Sequence, residues 1–170
     1  LFAGRAAAEA PVLAGSLFAL CGRSQAIAAA GAVEAAQGTQ AAARERRARE
    51  TRIGAETIQE HAWRLLVDWP RLEGGEPDVA ALARAREVLA PLLACEPGTD
   101  IEAAVHAALL WARDRLFGVS PGTFLAFDSL DEWTAWTRAA NLKGWGRAGG
   151  LGVAAGLLLS LALRLFDSVE

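Results

Sequence analysis

The sequence predicts an all-α fold, a multi-helix bundle of five to seven helices. Apolar residues recur at helical spacing along 40–68, a stretch that begins highly charged. Two later segments open on capping boxes, in which Ser or Thr is followed three residues later by Glu. Only 118–127, GVSPGTFLAF, has any extended character, and it is short. Packed helices are therefore expected throughout.

Two helices are expected within 1–37. The first covers 6–20, with Pro11 near its start. Ser24 is expected to cap the second, which runs from Gln25 to about residue 37 and is rich in Ala and Gly. Small side chains let a helix approach a neighbouring backbone closely, so this helix is expected to be buried against another.

Later helix boundaries follow from caps and prolines. Pro70 is expected to end the helix of 40–68. Asp78 caps a helix to about residue 94, which Pro91 should kink or end early. Thr99 opens a helix through residue 117, and Ser129 opens another. The residues expected to face inward are Ile53, Ile58, Leu65, Leu66, Trp69, Val79, Leu82, Val88, Leu89, Leu92, Leu93, Ile101, Val105, Leu109 and Leu116.

The C-terminal part is predicted to form a glycine-rich loop, 141–150, followed by a strongly apolar helix, 151–166. The uninterrupted apolar run of that helix is about 13 residues, which is shorter than the roughly 18–20 that cross a bilayer. It is predicted to be a buried helix rather than a membrane span. The loop lacks the Gly-Lys-Ser/Thr ending of a phosphate-binding loop.

Length and charge bound the class of protein. At 170 residues one domain is expected over 1–170, and a chain without methionine that begins at Leu1 is expected to be a piece of a longer one. The net charge of −3 gives no overall attraction for nucleic acid. The arginines of 44–52 are interleaved with Glu45 and Glu50, which indicates a solvated helix face.

The two cysteines, Cys21 and Cys95, are too few for a disulfide scaffold. Neither belongs to a C-x-x-C pair of the kind that binds structural zinc. A cytoplasmic, reducing location is the simplest expectation. Cys95 is expected to be a buried residue without chemistry of its own.

A motif match singles out the N-terminal stretch 1–34. Large subunits of [NiFe] hydrogenases carry G-R-x-x-x-D-A-P and then, about ten residues on, R-x-C-G-x-C-x-x-x-H. Gly4-Arg5 and Ala10-Pro11 resemble the first part, with Glu9 in place of its acid. The second part aligns without a gap, with its positions occupied by Ser16, Phe18, Ala19, Cys21 and Gln25. The segment resembles a large subunit whose metal motif is mostly lost.

A second match follows at residues 49–61, RETRIGAETIQEH, which is similar to the large-subunit pattern R-N-L-x-x-G-A-Q-x-I-x-D-H. Arg49 and His61 fall on its two ends, and Glu60 stands for its Asp. Gly54, Ala55 and Ile58 also match. Together the two matches fall within the N-terminal part of the chain, roughly 1–70.

This pattern resembles the HupK-type, or HoxV-type, hydrogenase maturation proteins, which are like the large subunit but lack its full set of cysteines. The resemblance implies the helical core of that subunit and a non-catalytic scaffold role while an iron–cyanide–carbonyl unit is built and transferred. It implies the large subunit and HypC/HupF-type chaperones as partners. No permanently bound cofactor is expected, and the Fe(CN)2CO unit would be held only in transit.

Within that resemblance, Cys21 is the candidate contact for the iron unit or a partner thiol, with Arg23 and Gln25 as polar neighbours. Cys21 lies just ahead of a helix start and two residues from Arg23, a setting that favours a reactive thiol. A buried Cys21 inherited without a role is the alternative. His61 is either a ligand or proton relay, or a structural residue of the bundle, and its place on a helix favours the latter.

Two other functions remain open. A divergent hydrogenase large subunit, or a subunit of a related complex, would need four thiolates to hold nickel and iron, and the chain offers one at the matching positions. Stoichiometric nickel and iron would indicate that enzyme. A structural helical interaction module without a metal step is the third reading. Trp133, Trp136 and Trp145 would form a partner surface if exposed, although core filling is favoured.

Overall fold

A computed structural model describes residues 2–72 and 74–139, and all regular structure in these ranges is helical. The predicted all-α fold is confirmed, although the described residues contain eight α-helices where five to seven helices were predicted. After a 3-10 turn at Ala7–Glu9, the helices are α1 (Ala10–Leu17), α2 (Gly22–Ala36), α3 (Ala43–Trp63), α4 (Trp69–Leu72), α5 (Val79–Ala94), α6 (Ile101–Ala112), α7 (Pro121–Leu125) and α8 (Leu130–Ala139).

Helices α3, α5 and α6 form the body of the protein around one apolar core. Leu65, Leu89 and Leu92 are among its fully buried side chains. Most of the residues predicted to face inward do so, but Val79 is 61% exposed. Val79 is the first residue of α5, and the side chains that meet the core begin at Ala81 and Leu82.

The start of α5 is as predicted, because the Asp78 carboxylate accepts a hydrogen bond from the Ala81 backbone N–H at 2.8 Å. The helix continues through Pro91 to Ala94 and does not end early. Pro91 lies in the last turn, so the missing N–H removes a single hydrogen bond there. Arg52 of α3 donates to the Ala94 and Cys95 carbonyl oxygens and ties the end of α5 to α3.

The expectation that Pro70 ends the helix of 40–68 is wrong, because helical structure continues past Pro70 to Leu72. A π-helical turn at Arg64–Asp68 follows α3 and leads into α4, which contains Pro70. Pro70 has no N–H to offer the Leu66 carbonyl four residues back. That carbonyl accepts instead from the Asp78 N–H at 2.8 Å, so the proline is accommodated without an unpaired group there.

The boundaries of α6 and α7 agree only in part with the predicted ones. The cap of α6 is Asp100, whose carboxylate accepts from the Ala103 N–H, and not the neighbouring Thr99. A π-helical turn at Arg113–Phe117 extends α6 to the predicted end. The stretch 118–127 is not extended, since it contains α7. Ser120 caps α7, and Pro121 supplies the preset φ that a first helical position needs.

The capping box of α8 is confirmed. Ser129 Oγ accepts from the Glu132 N–H, and the Glu132 carboxylate accepts from the Ser129 N–H. Trp136 is buried, as core filling predicted, and its indole N–H donates to the Phe117 carbonyl at 2.7 Å. Its ring packs against those of Phe124 and Phe127.

Helices α1 and α2 form a tight hairpin ahead of the body. A Cβ added at Gly22 would lie 2.6 Å from the Gly15 carbonyl oxygen, so the two backbones touch. The predicted close approach is therefore confirmed. The predicted burial is wrong, because no residue of α2 is buried and only Ala14 of α1 is. Helix α2 also starts earlier than expected, at Gly22, with Cys21 rather than Ser24 at the N-cap position.

The predicted loop 141–150, the apolar helix 151–166 and Trp145 lie outside the described residues, as does the side chain of Trp133. Across the ranges that are described, none of the helices combines the length and apolar character needed to span a bilayer.

Candidate functional site

Cys21 lies at the bend of the hairpin, where the chain leaves α1 and enters α2. Its carbonyl oxygen accepts the first hydrogen bond of α2, from the Gln25 N–H at 3.0 Å. The residue is partly exposed and lines a cleft between the bend and α3, so it is not sealed in the core. A partner or a small ligand can reach it without unfolding the hairpin.

Glu56 of α3 fixes this bend to the body. Its carboxylate accepts three hydrogen bonds from the first turn of α2: the Arg23 N–H at 2.9 Å, the Ser24 N–H at 2.9 Å and the Ser24 hydroxyl at 2.6 Å. Glu56 is only 5% exposed. The free N–H groups and positive end of a helix dipole favour a carboxylate there. The arrangement explains why a buried acid is tolerated on α3.

Glu56 is not among the candidate residues that the sequence indicates, and Ser24 is expected there only to cap α2. One signal was present, since Glu56 shares the inward arc of α3 with Ala55, Ile58 and Ala62, where an unpaired acid would be costly. Its hydrogen-bond partners lie on a different helix far earlier in the chain, however, and no residue near Glu56 in the sequence indicates them. Ser24 does not occupy the N-cap position because α2 begins at Gly22, and its hydroxyl donates to Glu56.

Between the bend and α3 lies a cleft of about 350 Å³. It brings Cys21 and His61, the candidates from the two separate sequence matches, to one place. Its lining residues are Leu20, Cys21, Ser24, Glu56, Thr57, Glu60, His61 and Arg64.

His61 has a defined tautomer in its neutral form. Its Nδ1 lies 2.8 Å from the Thr57 carbonyl oxygen, which can only accept, so Nδ1 carries the proton and donates. Nε2 then keeps its lone pair, the form in which imidazole binds a metal or accepts a proton. The structural role favoured for His61 and its place in the Cys21 cleft are thus compatible.

The carboxylates of the cleft differ in environment. Burial, together with the nearby charge of Glu56, raises the pKa of Glu60 above the ordinary glutamate value. Arg64 is engaged by Asp68 one turn further on. The cleft therefore offers acceptor groups and a thiol, and its one guanidinium is already paired.

The two polar neighbours predicted for Cys21 differ in their relation to it. The Gln25 side-chain amide nitrogen is 3.8 Å from the Cys21 sulfur, which places an N–H donor on the thiol. The Arg23 side chain does not line the cleft; its backbone N–H, bound to Glu56, is its link to the site.

The far end of α2 is also tied to α3. Arg49 donates to both carboxylate oxygens of Glu34, at 2.9 and 2.6 Å. This bidentate pair lowers the pKa of Glu34 and raises the pKa of Arg49. Both side chains remain partly accessible, with 17% of Arg49 and 27% of Glu34 exposed.

Cys95 lies elsewhere, at the end of α5, and it is partly exposed, so the expectation that it is buried is wrong. It adopts a left-handed backbone conformation with φ 44°, where a helix commonly terminates. Burial raises the pKa of its thiol, which disfavours the reactive thiolate. The thiol of Cys95 is therefore a poor candidate for chemistry and a suitable control for Cys21.

Within 2–72 and 74–139, no three His, Cys, Asp or Glu side chains gather as a preformed metal cluster. The cleft instead combines one accessible thiol, one imidazole and hydrogen-bond partners around them. Such a set can hold a metal fragment that brings its own ligands, and a thiolate of another protein can then displace the Cys21 thiolate from that metal.

Comparison with known proteins points to one class. Over 126 residues, which is 74% of the chain, the sequence is 34% identical to the hydrogenase expression/formation protein HoxV of Cupriavidus necator. The chain is similar to a hydrogenase formation protein. The matched region is 32% of HoxV, so the chain spans about a third of the length of this curated relative. No protein-family model and no solved structure matches the chain.

The similarity to HoxV supports the resemblance to hydrogenase maturation proteins that residues 1–34 and 49–61 indicated. The likeness of those segments to the hydrogenase large subunit itself, and of the fold to its helical core, stays a prediction.

Proposed function

We propose that this chain is a non-catalytic accessory protein in the maturation of a [NiFe]-hydrogenase large subunit. In this role it holds or passes on the Fe(CN)2CO unit in the cytoplasm and does not itself turn over hydrogen. The similarity to a hydrogenase expression/formation protein supports a role in hydrogenase maturation. The geometry of the cleft supports the finer proposal that the chain holds or passes on the iron unit.

One observation carries the proposal: the partly exposed Cys21 supplies the single thiol of a cleft that His61 also lines. A soft thiolate binds iron, and one thiolate holds it less firmly than four. A carrier needs that lability, because its cargo must leave again. The Gln25 amide at 3.8 Å from the sulfur can steady the thiolate without competing for the metal.

The same residues argue against hydrogen turnover. The residue that stands at the first cysteine position of the resemblance is Phe18, which cannot ligate a metal and is 47% exposed. Cys21 alone cannot bridge nickel and iron as four thiolates do. We therefore assign the iron unit to this chain as cargo and not as a resident cofactor.

Exposed apolar side chains flank Cys21 and fit a protein partner. Leu17, Phe18 and Leu20 are 47–54% exposed around the bend of the hairpin. Large exposed apolar groups that border a polar site are typical of interaction surfaces. The partners proposed are the hydrogenase large subunit and the HypC/HupF-type chaperones.

The test is complementation of a strain that lacks the gene, with hydrogenase activity of the strain as the measurement. The wild-type chain and Cys95→Ser are expected to restore activity, and Cys21→Ser is expected to fail while it accumulates to the same level. Cys95→Ser is the matched control, because it removes the other thiol and leaves the cleft intact.

Normal maturation with Cys21→Ser would contradict the proposal. Pull-down of the large subunit or a chaperone by the wild-type chain, lost on replacing Phe18 and Leu20 with Ser, would support the partner surface. Stoichiometric nickel in the purified protein would favour an enzyme instead.

A further inference from the structure

Two polar clamps attach the α1–α2 hairpin to the body, one near each end of α2. Glu56 binds the first turn, at Arg23 and Ser24, and Arg49 binds Glu34. The anchor points Arg23 and Glu34 are separated by about three turns of helix, roughly 16 Å along its axis. No side chain of α2 is fully buried, although most are partly so, and the two clamps add polar contacts to this partial packing.

The two clamps differ in chemistry. The Glu56 clamp is buried and uses backbone N–H groups that have no partner inside α2. The Arg49–Glu34 clamp joins two side chains that water can reach. The first clamp lies directly after Cys21 in the chain and at the cleft itself. Of the two clamps, it is therefore the one that bears on where Cys21 lies relative to His61.

We propose that Glu56 is the positioning residue of the site: its carboxylate pins the first turn of α2 and so holds the Cys21 thiol at the cleft. Release of this clamp lets the bend move away from α3 while the body stays folded. The importance of that position for cargo rests on the proposed function, but the effect on Cys21 does not.

The direct test uses the chain with Cys95→Ser, so that Cys21 is the single thiol. Glu56→Ala removes all three hydrogen bonds, Glu56→Gln keeps one acceptor oxygen, and Ser24→Ala removes the hydroxyl bond alone. Arg49→Ala is the matched control, because it releases the other end of α2. Two quantities are measured. The first is the rate of backbone amide exchange, and the second is the alkylation rate of Cys21 at a pH high enough that the thiol is fully deprotonated and the rate has levelled off.

In Glu56→Ala the amides of Arg23 and Ser24 are expected to exchange about tenfold faster, the factor that roughly 1.4 kcal/mol represents, close to the worth of a hydrogen bond to a charged group. The levelled-off alkylation rate of Cys21 is expected to rise severalfold. Glu56→Gln and Ser24→Ala should fall between Glu56→Ala and the wild type, in the order of bonds kept. Arg49→Ala should leave both quantities near the wild-type values.

A levelled-off rate in Glu56→Ala equal to that of the wild type would overturn the proposal. An equal rise in Arg49→Ala would also overturn it, because loosening of the hairpin in general would then explain the effect. Another contradictory result would be a shift only in the pH at which the alkylation rate of Cys21 is half its maximum, with the same shift in Glu56→Gln and Glu56→Ala. That result would show that the charge of Glu56, and not its hydrogen bonds, affects Cys21. If Glu56→Ala speeds alkylation but matures hydrogenase normally, Glu56 positions Cys21 and the proposed function of Cys21 fails.

Discussion

The α1–α2 hairpin and the α3–α5–α6 body are both helical, but different forces hold them. The body buries an apolar core in which Leu65, Leu89 and Leu92 are almost completely inaccessible. The hairpin buries a single residue, Ala14. Its other side chains are at most partly buried, and a backbone contact at Gly15 and Gly22 and hydrogen bonds to α3 add to this packing.

The region that sets the stability of the fold is therefore different from the region that carries the candidate site. Apolar burial stabilises in proportion to area, at about 25 cal/mol per Å², and sets the global stability. Hydrogen bonds at a partly exposed junction open at lower cost, so such a junction can move while the rest stays folded. The candidate site lies at the junction, where Cys21 of the hairpin meets His61 of the body.

The largest expected effect is in the body. Leu89→Ala should lower the free energy of unfolding by about 2–5 kcal/mol, since it leaves a cavity between packed helices. Val12→Ala on α1 is the matched change in the hairpin, and it should cost less than about 0.5 kcal/mol because Val12 is 76% exposed. Urea denaturation of both variants measures the contrast. Equal losses would abolish the distinction between the two regions.

A smaller effect is expected at the backbone contact of the hairpin. Gly22→Ala places a methyl group against the Gly15 carbonyl and should cost about 1–3 kcal/mol, because backbone cannot yield as a side chain does. Gly31→Ala on the same helix has open space around its added Cβ. That control should be neutral or stabilising by up to about 1 kcal/mol. Loss of helical circular dichroism signal on heating reports both variants, and a Gly22→Ala protein as stable as Gly31→Ala would refute the tight contact.

The smallest effect is a pH dependence at the Arg49 clamp. The folded-state pKa of Glu34 is lowered by Arg49, so the pair stabilises the fold above the ordinary glutamate pKa of about 4.3. That stability is lost as the pH falls through the lowered folded-state pKa. Arg49→Ala should therefore reduce the melting temperature at neutral pH, and the deficit should shrink on acidification below about pH 4.

Arg84→Ala provides the comparison for that experiment. It breaks an exposed pair with Glu87, in which the two side chains are 63% and 64% accessible, and such pairs contribute little. Its melting temperature should follow that of the wild type at every pH. A deficit for Arg49→Ala that is constant with pH would show that packing, and not the ion pair, holds that end of α2.

Features written locally in the sequence were predictable. The Asp78 cap and the Ser129–Glu132 capping box depend on residues within one turn, and both are confirmed. Prolines were harder to interpret, because their effect depends on where the freed carbonyl finds a donor. Pro70 does not end its helix, since the carbonyl of Leu66 is taken by the distant Asp78 N–H.

The candidate site was predictable in part. The motif matches singled out Cys21 and His61 separately, and the fold brings them to one cleft. Glu56 and the role of Ser24 could not be read from the sequence, because their hydrogen bonds join two helices that are distant along the chain. Burial of α2 was overestimated for a related reason, since small side chains indicate a close contact on one face and leave the other face undetermined.

Infrared spectroscopy can detect whether Cys21 holds the iron–cyanide–carbonyl unit. The chain would be purified from cells that make the iron–cyanide–carbonyl unit but lack the large subunit, so that cargo cannot move on. We expect metal-bound cyanide and carbonyl bands in the wild type and in Cys95→Ser, and their loss in Cys21→Ser. Bands that persist in Cys21→Ser, or that are missing from the wild type as well, would contradict this expectation.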